Sequence, residues 1–128
     1  MKFEKKTGEV GFTLVEIMIV VAIIGLLSAI AVPNFVKARA TSQKNACISN
    51  LHQIDSAVQE WALENHQPPN ATVVVNGIIP YLGRGTSGSL KSCFCPADPT
   101  TKFANSYLVT TVDVAPTCQI AAATHILN

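Results

Sequence analysis

No catalytic motif is present in these 128 residues. The sequence has no G-x-S-x-G, no H-E-x-x-H and no Walker loop, and no two acids are spaced for acid–base work. The common hydrolase, metalloprotease and nucleotide-hydrolysing designs are therefore excluded. Acids are also scarce late in the chain: only Asp98 and Asp113 follow Glu64, too few and too far apart for an oxygen-lined calcium site. Clustered positive charge is missing as well. Beyond residue 11, Lys37, Arg39, Lys44, Arg84, Lys91 and Lys102 face Glu16, Asp55, Glu60, Glu64, Asp98 and Asp113. Six against six leaves no phosphate-neutralising patch, so no nucleic acid is expected as a partner. Gly83, Gly85 and Gly88 satisfy G-x-G-x-x-G, but no strand precedes them and no helix follows. A flexible surface loop accounts for them better than a dinucleotide site.

The absence that organises the chain is that of charge between Glu16 and Lys37. From Phe12 to Val32 the only polar side chains are Thr13, Glu16 and Ser28, and as a helix these 21 residues span about 31 Å, enough to cross a bilayer's hydrocarbon core. Glu16 interrupts that segment. An ionised acid costs roughly 2.5–3.5 kcal/mol at mid-membrane and less near its edge, so this carboxylate needs a partner. Cleavage between Gly11 and Phe12 would supply one: the new α-amino group is a cation one helical turn from Glu16, in the same chain or a neighbour.

A short basic leader (Lys2, Lys5, Lys6) ending in Gly11, then Phe12-Thr-Leu-Val-Glu16 and a long apolar helix, resembles the N-terminus of type IV prepilins and pseudopilins. The resemblance implies that a prepilin peptidase cuts after Gly11 and that Phe12 becomes N-methylated. It implies that Glu16 meets a neighbouring subunit's terminal amine during assembly. It also implies that the stretch from Gly25 to Pro33, a weak point for a helix, can unwind when subunits pack into a filament. The ordering of WALEN, PYL, CP, YLV and PTC is similar to that of the major pseudopilin of type II secretion systems. The segment between Cys95-Pro96 and Tyr107 departs from that pattern, being long and without paired glycines. An ordinary secretory signal cut after Ala31 is the competing reading of the N-terminus, and would leave a small secreted, disulfide-stapled binding protein. The length of the apolar run and the acid within it count against it.

Beyond Pro33 the helix is expected to continue to His66, about 80 Å in all from Phe12, and to stop at Pro68-Pro69. Cys47, Leu51, Ile54, Val58 and Trp61 recur at spacings of four and three and form one apolar stripe. His52 and His66 read as surface or packing residues on it. Along this half, Lys37, Arg39 and Lys44 come first and Asp55, Glu60 and Glu64 last, against the preference of the helix macrodipole. Bases beside anionic headgroups explain the early charges. Pairing of the acidic segment of one subunit with the basic segment of another, in a staggered filament, explains both ends.

The remainder reads as a small head. Thr72–Val75 is expected as a short strand, and Gly77–Leu82 as a helical turn covering the stripe through Ile78, Ile79 and Leu82. Tyr107–Val109, with Val112 and Val114 following, and Thr117–Ala121 are expected as two strands around an Ala115-Pro116 turn. Such a hairpin must pack on the helix to be stable. Four cysteines allow three complete connectivities. The pairing favoured is Cys95 with Cys118, a closure that constrains the unfolded chain by roughly 3 kcal/mol. Cys93 is the substitute, and Cys47 pairs with the remaining sulfur or stays a buried thiol. Cys93, Cys95, Cys118 and His125 also form a conceivable zinc set, but their spacing matches no standard finger and a compartment outside the cytoplasmic membrane favours disulfides, so no metal or other cofactor is expected.

The expected organisation is α+β and pilin-like. Residues 1–11 form a cleaved leader, 12–35 the transmembrane half of the helix, 36–67 its amphipathic half and 68–128 the head. The expected function is that of a structural, non-enzymatic filament subunit, most simply a pseudopilin of a type II secretion-type system. Its partners would be the prepilin peptidase, other copies of itself, minor pilins and, before assembly, the membrane. The expected location is the inner membrane, single-pass with the head in the periplasm, and then a periplasmic or surface filament.

Overall fold

The computed structural model describes residues 11–83 and 90–127. The leader, apart from Gly11, and the glycines at 85 and 88 lie outside the described residues. Contacts within the chain divide it into a unit ending at Ala38 and a second unit from Arg39 onward. Helix α1, Leu14–Glu64, belongs to both.

In the first unit every described residue is exposed. Ile17, Ile19, Val20, Ile23, Ile24, Leu27 and Ile30 all keep at least half their surface open, so within this unit the described helix is apolar all round and exposed. Its most apolar window has a mean hydropathy of 2.8, long and apolar enough to cross a membrane. Gly25 and Pro33 are both helical here. A Cβ at Gly25 would meet nothing within 4 Å, so packing within the chain does not require glycine there.

In the second unit the apolar stripe becomes the core. Cys47, Leu51, Ile54 and Val58 are buried, joined by Ala57 and Ala62, and Trp61 packs at the edge of the cluster. The helix stops earlier than expected, at Glu64. The cause is a left-handed residue: His66 has φ of 51°, Gln67 N–H donates to Ala62 C=O at 2.9 Å and His66 N–H to Leu63 C=O at 3.4 Å. This is the Schellman arrangement, which satisfies the last carbonyls before the prolines are reached.

Helix α2, Val75–Ile78, and a 3₁₀ turn, Ile79–Tyr81, occupy the expected helical turn, and Ile78 and Leu82 are fully buried. Ile79 is not buried. Gly77 is needed for close approach, since a Cβ on it would lie 2.8 Å from Trp61 Nε1. At the 3₁₀ turn, the Tyr81 hydroxyl donates to Glu64 Oε2.

The β structure is shorter than the sequence suggested. Strands β1, Tyr107–Leu108, and β2, Thr117–Cys118, pair antiparallel with Tyr107 opposite Cys118. The ladder does not extend because residues 110–113 turn to another partner. Val73 N–H donates to Thr110 C=O at 2.8 Å, Val112 N–H to Ala71 C=O at 3.2 Å and Asp113 N–H to Pro69 C=O at 2.9 Å. The expected strand at 72–75 is thus a single bridge, Thr72 to Thr111, and Val75 opens α2 instead. Before β1 lies a helical turn the sequence did not announce, α3, Phe103–Ser106.

The long segment from Cys95 to Tyr107 is ordered around a buried acid. Asp98 keeps 4% of its surface exposed. Its Oδ1 accepts from the Thr100 backbone and hydroxyl, both at 2.7 Å, and its Oδ2 accepts from the Ser106 hydroxyl at 2.7 Å. The Thr100 and Ser106 hydroxyls hold this carboxyl below its ordinary range. A depressed carboxylate contributes stability above its unfolded pKa, about 3.9, and that contribution is lost as pH falls through the folded value. The melting-temperature gap between wild type and Asp98→Asn, followed by Trp61 fluorescence in detergent, should therefore be full at pH 6 and shrink below about pH 4. A gap independent of pH would contradict this account.

Candidate functional site

The amino end of α1 is built by its own side chains. Gly11, Phe12 and Thr13 are non-helical and exposed, so the Gly11–Phe12 bond lies in an open lead ahead of the helix. A Cβ on Gly11 would meet nothing within 4 Å, so the rest of the chain imposes no need for glycine there. Phe12 is 86% exposed. Thr13 occupies the N-cap position. Its backbone N–H and its hydroxyl both donate to Glu16 Oε2 at 2.8 Å, while Glu16 N–H donates to Thr13 Oγ1 at 3.2 Å.

This is a capping box, in which residues N-cap and N3 satisfy each other's orphan donors. The signal was in the sequence as T-x-x-E before an apolar run, but the partner sought there for Glu16 was a terminal amine. The structure supplies a first partner from within the chain. Phe12 and Glu16 share one exposed patch of the helix with Ile17, Ile19 and Val20. Gly25 and Pro33 lie farther along the same helix.

The cysteines gather elsewhere, in the second unit. All four are buried thiols. Cys47 from α1, Cys95 from the loop before α3 and Cys118 from β2 place their sulfurs, with a ring nitrogen of His125, within 4.8 Å of one another. Cys95 and Cys118, the pair favoured for a disulfide, are therefore neighbours, each as a thiol. The conceivable zinc set changes by one member: Cys93, also buried, is outside the cluster and Cys47 takes its place. Spacing along the chain hid this, because Cys47 lies on a helix and reaches the others only when the stripe is covered. Burial pushes the Cys93 thiol up to about 11 and raises those of Cys47 and Cys95; burial, then the charge of Lys44, disfavours protonation of His125.

Side chains of α1 also fix the loop that carries Cys95. Asn50 Nδ2 donates to Phe94 C=O at 2.9 Å and Gln43 Nε2 to Pro96 C=O at 3.3 Å, so the carbonyls on both sides of Cys95 are held by the helix.

The N-terminal site has counterparts among known proteins. Residues 11–32 match the family described as "Prokaryotic N-terminal methylation motif". The type IV major pilin protein PilA of Myxococcus xanthus is 50% identical over 54 residues, which cover 42% of this chain and 24% of that protein. The type II secretion system core protein G of Escherichia coli is 28% identical over 101 residues, 77% of this chain and 70% of that one. The type IV major fimbrial protein FimA of Dichelobacter nodosus is 42% identical over 84 residues, 66% of this chain and 54% of its own. The matches thus span about a quarter of the pilin and about half of the fimbrial protein. No solved structure matches the chain significantly.

Replacing Thr13 by Val removes the side-chain half of the capping box at about 1 kcal/mol, a factor of about five in local opening. Amide exchange at Leu14–Ile17 in micelles should accelerate by that factor while exchange in residues 47–62 stays unchanged.

Proposed function

We propose, on the premise that this chain is a homologue of type IV pilins and of the type II secretion core protein G and carries their N-terminal methylation motif, that it is the precursor of a structural subunit of a type IV pilus-like filament, most simply a pseudopilin of a type II secretion-type system. The observation that carries this reading is the N-terminus of α1. The Gly11–Phe12 bond stands in an open lead, one acid follows at Glu16, and an exposed apolar helix extends beyond it.

Each part then has a physical task. Prepilin peptidase cuts after Gly11 and Phe12 receives the methyl group. Thr13 lends Glu16 two hydrogen bonds and lowers the cost of carrying the acid in lipid, where an unpaired charge is expensive. The terminal amine of a neighbouring subunit adds the charge that a hydroxyl and an amide do not have. The apolar surface of residues 12–36 stores the subunit in the inner membrane, head in the periplasm, and later packs against its equivalents in the filament core. Gly25 and Pro33 are the places where that segment can unwind on packing, since glycine favours the coil and proline lacks the amide that a helix bond needs. The chain's role is structural, and its only chemistry is done to it.

The first test is intact mass with N-terminal fragmentation of the protein extracted from membranes. A mature chain should begin at Phe12 with one added methyl group. A chain beginning at Val32 would instead support release by ordinary signal peptidase as a small secreted binding protein. In the filament reading, Glu16→Ala leaves membrane insertion normal and abolishes assembly in a sedimentation assay.

The charge gradient along α1 enters the same picture. Glu64 is occupied by Tyr81 within the head, so Glu60 is the cleaner probe of contact between the acidic segment of one subunit and the basic segment of another. Glu60→Lys should reduce the assembled fraction without changing the melting temperature, and restoration by Lys44→Glu would identify the complementary segment. Wild-type assembly of Glu60→Lys would remove the staggered-charge idea and leave the subunit role standing.

A further inference from the structure

Cys47, Cys95, Cys118 and His125 meet from four separate parts of the head: helix α1, the loop before α3, strand β2 and a C-terminal turn in which the Thr124 and His125 N–H groups donate to Ala121 C=O. Their exposures are 0%, 0%, 1% and 7%, and their three sulfurs and one ring nitrogen lie within 4.8 Å of one another. A tetrahedral zinc with Zn–S of about 2.3 Å and Zn–N of about 2.0–2.1 Å sets the edges of its ligand cage at about 3.8 Å between sulfurs and about 3.6 Å from sulfur to nitrogen. Nδ1 of His125 lies 3.6 Å from Cys95 Sγ and 3.8 Å from Cys118 Sγ. The imidazole is already at a cage edge from two sulfurs.

A disulfide explains less of this arrangement. It would join two sulfurs and leave the third thiol and the imidazole only as hydrogen-bonding neighbours. A hydrogen-bond donor also stands behind one of the sulfurs. The Tyr107 hydroxyl donates to Cys47 Sγ at 3.6 Å and is itself held by Asn50 Nδ2 at 3.1 Å. Such outer donors orient ligating sulfurs and spread their negative charge.

We propose that Cys47, Cys95, Cys118 and His125 bind one zinc ion as a closed, structural Cys₃His site. On binding, three S–H bonds break and three protons leave to solvent, three Zn–S bonds and one Zn–N bond form, and nothing is oxidised or reduced. Zinc with three thiolates and a neutral imidazole carries one net negative charge. Four protein ligands leave no open position, so the ion is structural rather than catalytic. Its effect is to tie α1 to the loop, the sheet and the C-terminal turn in a head whose two strands are two residues each.

The experiment is metal analysis of the full-length chain, extracted in detergent without chelator, for wild type, Cys93→Ser, Cys118→Ser and His125→Gln. Wild type and Cys93→Ser should each carry one zinc per chain. Cys118→Ser and His125→Gln should lose it, with affinity falling by more than the roughly 10–100-fold that follows loss of a merely supporting residue. Because either ligand variant can fail to fold, cobalt is exchanged into the wild type as an independent readout. Tetrahedral, thiolate-bound cobalt has intense visible absorption and a sulfur-to-metal charge-transfer band. Stoichiometric zinc with that spectrum supports the site. A wild type that binds no zinc, zinc shared equally by all four proteins, a cobalt spectrum without thiolate bands, or a mapped disulfide between any two of Cys47, Cys95 and Cys118 in freshly extracted protein would each overturn it.

Discussion

An apolar helix that carries one acid and has no cover of its own is the constraint on which the rest depends. Around its whole circumference the helix from Leu14 to Val36 presents Val, Ile, Leu, Met and Phe side chains that nothing in the described chain shields. Water is a poor environment for that surface, and lipid is a poor environment for Glu16. The two demands are reconciled locally by Thr13, whose amide and hydroxyl turn the acid into the second half of a helix cap. Glu16 can thereby enter an apolar environment with part of its hydrogen bonding satisfied while its charge stays available to a cation.

The second unit solves the opposite problem, that of having too little to bury. Its core is one stripe of α1 with a few residues from short pieces of chain, among them Ile78, Leu82, Phe103 and Tyr107. Polar side chains complete the fastening. Asn50 and Gln43 hold backbone carbonyls of the Cys95 loop, Gln59 reaches Val112 C=O at 3.0 Å, and Asp98 gathers Thr100 and Ser106. Each tie uses a buried or half-buried polar group with a partner, and among the described residues no buried side-chain nitrogen or oxygen is left unsatisfied. A head fastened this way depends on particular residues rather than on bulk, which gives a four-ligand cluster of sulfur and nitrogen at its centre a ready structural purpose.

Legibility in the sequence followed the range of the interactions. The stripe at Cys47, Leu51, Ile54 and Val58 could be read because helical periodicity is local, and so could the helical turn near Gly77–Leu82. The helix terminus was misplaced by two residues because His66 takes the left-handed conformation usually given to glycine. The strands were overextended because valine and threonine favour strand wherever they stand. Whether Val112 pairs with the returning strand or with Ala71 depends on a segment some forty residues away. Asp98 passed as a sparse surface acid, since nothing near it announces that Ser106 will close over it.

Gly11, Phe12, Glu16 and the uncharged run up to Lys37 needed no structure to be found, because the pattern rests on order along the chain: a glycine, a phenylalanine, an acid one turn on, then a length of apolar helix. The meeting of Cys47 with Cys95, Cys118 and His125 is of another kind. These residues are separated by 48, 23 and 7 positions, and no spacing rule joins them. They converge because burial of the α1 stripe brings the loop, the sheet and the C-terminal turn onto the same turn of helix. Convergence of that sort is a property of packing in three dimensions, so only the tertiary structure decided it.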